Sequence, residues 1–210
     1  NYDPRWMKSF KKGLQKISRA CKVPLIGGDL TRGPLQISVT VIGKPQKNIL
    51  LRSGANAGDI LCLSGRLGDA WMGLKEFKAH RSFNTKTKAY LFPLAQIEYG
   101  QLICMSATSA IDISDGLIQD LSHIVNKSGV GCELDLKRVP IAEKKFMKQC
   151  LEFGDDYQIL YTVPPSRLSA LQRRLNSREK KCHTIGTMTG KKIKILNNPV
   201  GTLQGWDHFK

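Results

Sequence analysis

The sequence predicts an α/β fold, a mixed sheet covered by helices, and three observations predict it. Short apolar runs alternate along the chain with stretches whose apolar residues recur at helical spacing. Carboxylates sit beside glycine where several of those runs end, which suits turns that bind a ligand. The 210 residues are 41% hydrophobic, enough to bury a core, yet no apolar run approaches the ~20 residues of a membrane helix. Membrane-spanning, collagen-like and disulfide-scaffold classes are excluded by that composition.

The elements follow in order. Pro4 suits a first helical turn, and Trp6, Phe10, Leu14 and Ile17 recur on one face with Lys8, Lys11, Lys12 and Lys16 on the other. An amphipathic helix ending before Pro24 is expected. Leu35, Ile37, Val39 and Val41 alternate, predicting a half-buried strand over Leu35 to Ile42. Gly43 to Asn48 reads as a linker and a candidate domain boundary. Asp59 to Ser64 predicts a strand, and Gly68-Asp69 opens a helix using Ala70, Leu74 and Phe77. Pro93 is expected to open a helix reaching about Met105. Ala110 to Ile113 predicts a strand breaking at Ser114-Asp115-Gly116 into a helix with Leu117, Leu121, Ile124 and Val125 inward. Tyr157 to Val163 predicts a strand stopped by Pro164-Pro165, and Ser166 is expected to cap a helix carrying Leu168, Leu171 and Leu175. Short strands near His183 to Thr187 and Ile193 to Leu196 complete the series.

Charge is unevenly spread. The chain carries a net +16, but residues 1–50 and 161–210 each carry +8, residues 51–110 carry +3, and residues 111–160 carry −3. A basic chain with one acidic island either binds a polyanion or holds cations in the island while basic regions face anionic ligands. The six cysteines form no Cys-x-x-Cys pair, so a zinc site is unsupported and reduced thiols in a cytoplasmic enzyme are expected. No charged-then-apolar leader opens the sequence, which begins inside a polar amphipathic segment.

Four segments carry candidate chemistry. In IGGDLTRGP (Ile26 to Pro34), Gly28 permits close backbone approach to a phosphate and Asp29 offers oxygen to Mg²⁺; a glycine-rich turn with a solvated Asp is the plainer alternative. In LLRSGANAGD (Leu50 to Asp59), Arg52 can clamp a polyphosphate, or simply be solvated. AIDISDG (Ala110 to Gly116) places Asp112, Ser114 and Asp115 at a strand-to-helix junction, a set of oxygen donors suited to Mg²⁺. Helix capping accounts for Ser114 or Asp115 but not for Asp112 between two isoleucines. In FGDDYQILYTV (Phe153 to Val163), Asp155 and Asp156 are adjacent, so at most one faces a given ligand, and Asp156 is expected to face away. No Ser/His/Asp order and no Walker-type loop appears.

Taken in order, IGGDLTRGP, LLRSGA, SGRLGDAWMGL, AIDISDGLIQDLSHI, GDDY and GWDHF resemble thiamine-monophosphate kinase, of the aminoimidazole ribonucleotide synthetase-like superfamily. The resemblance spans about Leu25 to Phe209 and implies the later part of a two-domain fold. Residues 1–47 would be the remnant of an N-terminal ATP-binding and dimerisation domain, and residues 48–210 a C-terminal α/β domain. It implies ATP- and Mg²⁺-dependent phosphorylation of thiamine monophosphate to thiamine diphosphate, with no covalent nucleophile. Carried over by position, Gly28, Asp29, Arg52 and Ser114 would contact ATP. Asp29, Asp112 and Asp115 would bind metal, and Asp155 and Trp206 would contact the substrate. A homodimer is implied for intact members, and neither membrane nor nucleic acid is expected as a partner. Leu30, Phe153, Gln158, Phe92, Ala95 and Gln96 depart from the family's usual residues. Members also begin with a longer segment bearing Gly-Asp-Asp and Ser-Thr-Asp motifs that supply further Mg²⁺ ligands, so activity is expected to be impaired in these residues alone. A non-catalytic nucleotide-binding module of the same fold and a basic RNA-binding protein are the alternatives. Only 7% of residues are aromatic, which disfavours the second.

Overall fold

The computed structural model describes residues 3–45, 48–190 and 192–205. It divides into two compact units, Asn1–Lys44 and Pro45–Lys210.

In the first unit the expected amphipathic helix forms as α1 (Pro4–Cys21). The Asp3 carboxylate accepts a hydrogen bond from the Arg5 amide (2.8 Å), satisfying one of the orphan donors of the first turn. Lys22, in the left-handed region, closes the helix through its amide and the Arg19 carbonyl. On the apolar face Trp6 and Phe10 stack with centroids 5.4 Å apart. The alternating segment Leu35 to Ile42 does not form the expected half-buried strand. Leu35, Ile37, Val39 and Val41 are all exposed, and no ladder partner is found among the described residues. Alternation describes a pleated surface, but a strand exists only by pairing, and this unit offers it none.

The second unit is built on six strands: β1 (Ile60–Leu63), β2 (Ser109–Asp112), β3 (Gly131–Asp135), β4 (Ile159–Val163), β5 (His183–Thr189) and β6 (Ile193–Leu196). Their order is β2-β4-β1-β5-β3-β6, antiparallel throughout except for the β3–β6 pair. The helices are α2 (Asp69–His80), α3 (Lys88–Leu91), α4 (Ile97–Ile103), α5 (Leu117–Ser128), α6 (Met147–Glu152) and α7 (Pro165–Asn176). Both faces of the sheet are covered, so central strands read as continuous apolar runs. From β1, Leu61 and Leu63 enter one core with Leu160, Ile185 and the α5 residues Leu117, Leu121, Ile124 and Val125. Cys62 enters the other with Tyr161, Val163, Tyr99 and Ile103 of α4, and Leu171 and Leu175 of α7. Each fully buried leucine contributes about 1.5–3 kcal/mol. The mixed α/β class is the one expected.

Several boundaries differ from expectation. The helix expected from Pro93 to about Met105 is shorter, α4 beginning at Ile97, while the separate turn α3 precedes Pro93. Proline disfavours helical backbone in the residue before it, and Phe92 accordingly stands at φ −138°, ψ 61°. Ser166 does not cap α7: Pro164 holds that position and Pro165 opens the helix. β4 begins at Ile159 rather than Tyr157, whose φ of +49° leaves the strand region. β3 and α6 lie where no element was expected; Gly131, Glu133 and Asp135 give β3 poor strand propensity, and it is held by pairing on both sides.

Candidate functional site

The site is a set of turns at one end of β2 and β4. Ala110 to Asp112 run antiparallel to Tyr161 to Ile159, and the pairing continues past the strand ends. The Ile113 amide donates to the Gln158 carbonyl (2.7 Å), and the Tyr157 amide donates to the Ile113 carbonyl (2.9 Å). The Asp155 amide then donates to the Ser114 carbonyl (3.1 Å). The acidic turns Ile113 to Gly116 and Gly154 to Tyr157 are thereby stitched together. Glycine is required at two places. Gly154, at φ +71°, lies so close to the Ser114 carbonyl that a Cβ would collide with it. Gly116, at φ +115°, brings its Cα under the Glu152 and Leu151 carbonyl oxygens, which a Cβ would meet at 2.8 and 3.0 Å.

The Ser114–Asp115 turn is held from behind by Asp120, which is 1% exposed. Its Oδ2 accepts from the amides of Ser114 (3.0 Å) and Asp115 (3.1 Å). Burial pushes this carboxyl up to about 6 against the opposing effect of those amides, with the charges of Asp115 and Asp112 adding to the rise. Burial also pushes the Tyr157 phenol up, and the charges of Asp155, Asp112 and Asp115 push it the same way. The three carboxylates therefore act on one neighbourhood. Tyr157 donates to Asp155 Oδ1 (3.3 Å), while Asp112 is exposed at the end of β2. One ligand atom each of Asp115, Asp120 and His123 lie within 4.8 Å of one another.

Arg52 reaches the same end of the sheet by a different route. The Ala110 amide donates to the Leu51 carbonyl (2.9 Å), which lays residues 50–52 beside β2. Ser128 Oγ at the end of α5 donates to the Arg52 carbonyl (3.3 Å) and accepts from the Ala55 amide (3.2 Å). Arg52, Ser53, Asp112 and Lys127 line one open cleft of about 450 Å³. A buried network anchors this loop: Asp59 Oδ2 accepts from the Asn56 amide (3.0 Å) and from Thr108 Oγ1 (2.6 Å).

Arg52, Asp112, Ser114, Asp115 and Asp155 are thus brought to one end of the second unit. Gly28 and Asp29 belong to the first unit, where both are exposed and Asp29 Oδ1 accepts from the Leu30 amide (2.7 Å). Trp206 lies outside the described residues. Asp156 turns toward α2, where Oδ2 accepts from the Gly68 amide (2.6 Å) and Oδ1 from the Ala70 amide (2.9 Å). It satisfies donors at that helix N-terminus where Gly68 has no side chain to do so. Burial pushes its carboxyl up to about 6 in spite of those two amides.

Sequence reasoning missed Asp120, Tyr157 and Lys127. A signal existed for Asp120, a carboxylate on the same helical face as Leu117, Leu121 and Ile124. Because both amides bind one oxygen of Asp120, Asp120→Asn can keep them and Asp120→Ala cannot. Asp120→Ala is expected to cost about 2–3 kcal/mol in urea unfolding and Asp120→Asn less than half of that. Equal losses would mean that the two amide bonds do not hold the turn.

The donor set fits a hard divalent cation. Asp112, Asp115 and the Ser114 hydroxyl offer only oxygen, and the carboxylates already raise the proton affinity of their neighbours, the mark of concentrated negative charge.

Residues 56–196 match the family described as AIR synthase related protein, C-terminal domain. The thiamine-monophosphate kinase of Buchnera aphidicola subsp. Schizaphis graminum is 34% identical over 227 residues, covering 99% of this chain and 70% of that protein. The enzyme of the same name from Escherichia coli (strain K12) is 34% identical over 228 residues, with 99% and 70% covered. Among solved structures, thiamine-monophosphate kinase from Stenotrophomonas maltophilia K279a superposes with a TM-score of 0.80 at 26% identity, covering 94% of this chain and 69% of that one. AaThiL complexed with AMPPCP and TMP superposes with a TM-score of 0.64 at 28% identity, covering 78% and 55%.

Proposed function

This chain belongs to the thiamine-monophosphate kinase family, and on that premise we propose that its acidic turns and Arg52 form part of a site that transfers the γ-phosphoryl group of ATP to thiamine monophosphate, giving thiamine diphosphate. The observation that carries the reading is the convergence of Asp112, Ser114, Asp115 and Asp155 on one pair of stitched turns, with Arg52 beside Asp112. The complex of AaThiL with AMPPCP and TMP supports ATP and thiamine monophosphate as the two substrates.

Phosphoryl transfer needs positioning and charge neutralisation rather than a protein nucleophile, and the residues fit that division. Asp112 and Asp115 would hold Mg²⁺, and Asp29 is carried over by position as a further Mg²⁺ ligand. Bound there, the ion supplies positive charge to the phosphate oxygens. Ser114 and Gly28 would contact the nucleotide, while Arg52 would neutralise the polyphosphate from the cleft it shares with Asp112. Asp155 would face thiamine monophosphate, its backbone fixed by the bond to Ser114. Trp206 would pack on the substrate's rings. The roles of the chain's residues are thus to bind and orient, with Asp120 holding two amides of the metal-binding turn still. Residues 1–47 would represent the end of the ATP-binding and dimerisation domain and residues 48–210 the C-terminal domain, in a cytoplasmic enzyme.

These 210 residues, about 70% of the length of the curated relatives quoted, are expected to bind MgATP weakly and to turn over far more slowly than a full-length relative. Three Mg²⁺ ligands are assigned within them, and in-line transfer demands that metals, triphosphate and acceptor be fixed together. Thiamine diphosphate formation and MgATP titration on the purified chain test this. Absence of any MgATP affinity would overturn the proposed site, and turnover equal to a full-length relative would overturn the expected impairment.

A further inference from the structure

On the sheet face opposite α5, two cysteines and two tyrosines make a cluster that phosphoryl transfer does not use. Cys62 is fully buried in β1, opposite Tyr161 of β4 and Thr184 of β5. Cys182, just before β5, is half-buried and flanked in sequence by Lys181 and His183. The Tyr161 hydroxyl donates to the Cys182 sulfur (3.1 Å). The Cys62 thiol donates to the Ile60 carbonyl (3.8 Å) and packs in the same cluster as Cys182, which precedes Cys62's ladder partner Thr184 by two residues and so lies on the same face. Tyr99 completes the group, its hydroxyl 2.9 Å from that of Tyr161 and donating to the Lys181 carbonyl (2.8 Å). The Cys182 sulfur is therefore an acceptor of hydrogen bonds, an arrangement that favours thiolate over thiol. Cys104 shows the reverse: equally half-buried, it donates its proton to the Gln101 carbonyl (3.2 Å).

We propose that Cys182 and Cys62 are a peroxide-reactive thiol pair, in which Cys182 is the site of oxidation and Cys62 the thiol that resolves it. The neighbouring Cys62 thiol and the hydrogen bond from Tyr161 hold the Cys182 thiol down to about 7 against burial, while Cys62 is pushed up. Exposure assigns the order, because only Cys182 meets solvent. The Cys182 thiolate attacks one oxygen of a hydroperoxide and the O–O bond breaks. Cysteine sulfenic acid forms, and the departing alkoxide or hydroxide takes up the proton that Cys182 released. The Cys62 sulfur then attacks the sulfenic sulfur, an S–S bond forms, and the S–O bond breaks to release hydroxide, which leaves as water with the Cys62 proton. Two thiols supply two electrons to one peroxide. The product ties β1 to the segment leading into β5.

Two measurements on the unmodified chain test the pair. At pH 7 Cys182 is expected to react with iodoacetamide about tenfold faster than Cys104. One equivalent of hydrogen peroxide is expected to yield a peptide linking Cys62 and Cys182 that dithiothreitol releases. In Cys62→Ala the link is expected to disappear and dimedone to label Cys182 instead. Alkylation of Cys182 no faster than that of Cys104 would overturn the proposal. So would peroxide treatment that leaves Cys62 reduced in the unmodified chain while Cys182 is carried on to sulfinic acid.

Discussion

Gly154→Ala is expected to cost about 3–5 kcal/mol of stability, the largest loss from any single methyl group added at the site. Two effects add. Gly154 stands at φ +71°, where a side chain costs about 1–2 kcal/mol by itself. Its Cα also lies against the Ser114 carbonyl, and the new methyl would stand 2.8 Å from the Asp115 amide nitrogen. Neither neighbour is a side-chain end that can swing away. The two acidic turns must part, breaking the Asp155–Ser114 hydrogen bond. Gly58→Ala separates the two contributions, since Gly58 has φ +95° but nothing within 4 Å of its would-be Cβ. Thermal unfolding of the two variants decides. Equal falls in Tm would mean that close approach of the turns contributes nothing.

Asp112→Asn is expected to weaken MgATP binding by about 2–4 kcal/mol, roughly 30- to 1000-fold, while leaving Tm unchanged. The exposed Asp112 carboxylate makes no hydrogen bond or ion pair among the described residues, so its removal costs the fold little. Asp156→Asn is expected to do the opposite. One of the two amides of the α2 N-terminus then faces an NH₂ group, and stability falls by about 1–2 kcal/mol with MgATP affinity nearly unchanged. Titration calorimetry paired with thermal unfolding reads both quantities. A similar loss of affinity in the two variants would remove the distinction between the carboxylates.

Local pattern made some of this molecule legible and long-range contact made the rest. The helix α5 could be read from the spacing of Leu117, Leu121, Ile124 and Val125, all of which are buried. Asp112, between two isoleucines, could be read as a carboxylate at a strand-to-helix junction, and it ends β2. β3 could not be read, because Gly131, Glu133 and Asp135 lack strand propensity and the strand is held by partners at Thr187 and Lys194. The role of Asp156 depends on the amide of Ala70 in the first turn of α2, 86 residues earlier in the chain. No periodicity reports that distance. Leu35 to Ile42 shows the converse, with a clear alternation that no neighbour in its unit converts into a strand.

The strand order carries a consequence for how the molecule comes into being on the ribosome. β1 lies in the middle of the sheet, yet its two neighbours, β4 and β5, are translated about a hundred residues after it. β2 likewise waits for β4, its ladder partner. The nascent chain therefore carries β1 for about a hundred residues, and β2 with the Asp112–Asp115 turn for about fifty, before β4 arrives to pair with them. β1, β2 and the acidic turns can come together once the Gly154 loop and β4 clear the exit tunnel, and the sheet is completed only when β5 follows to join β1 to β3.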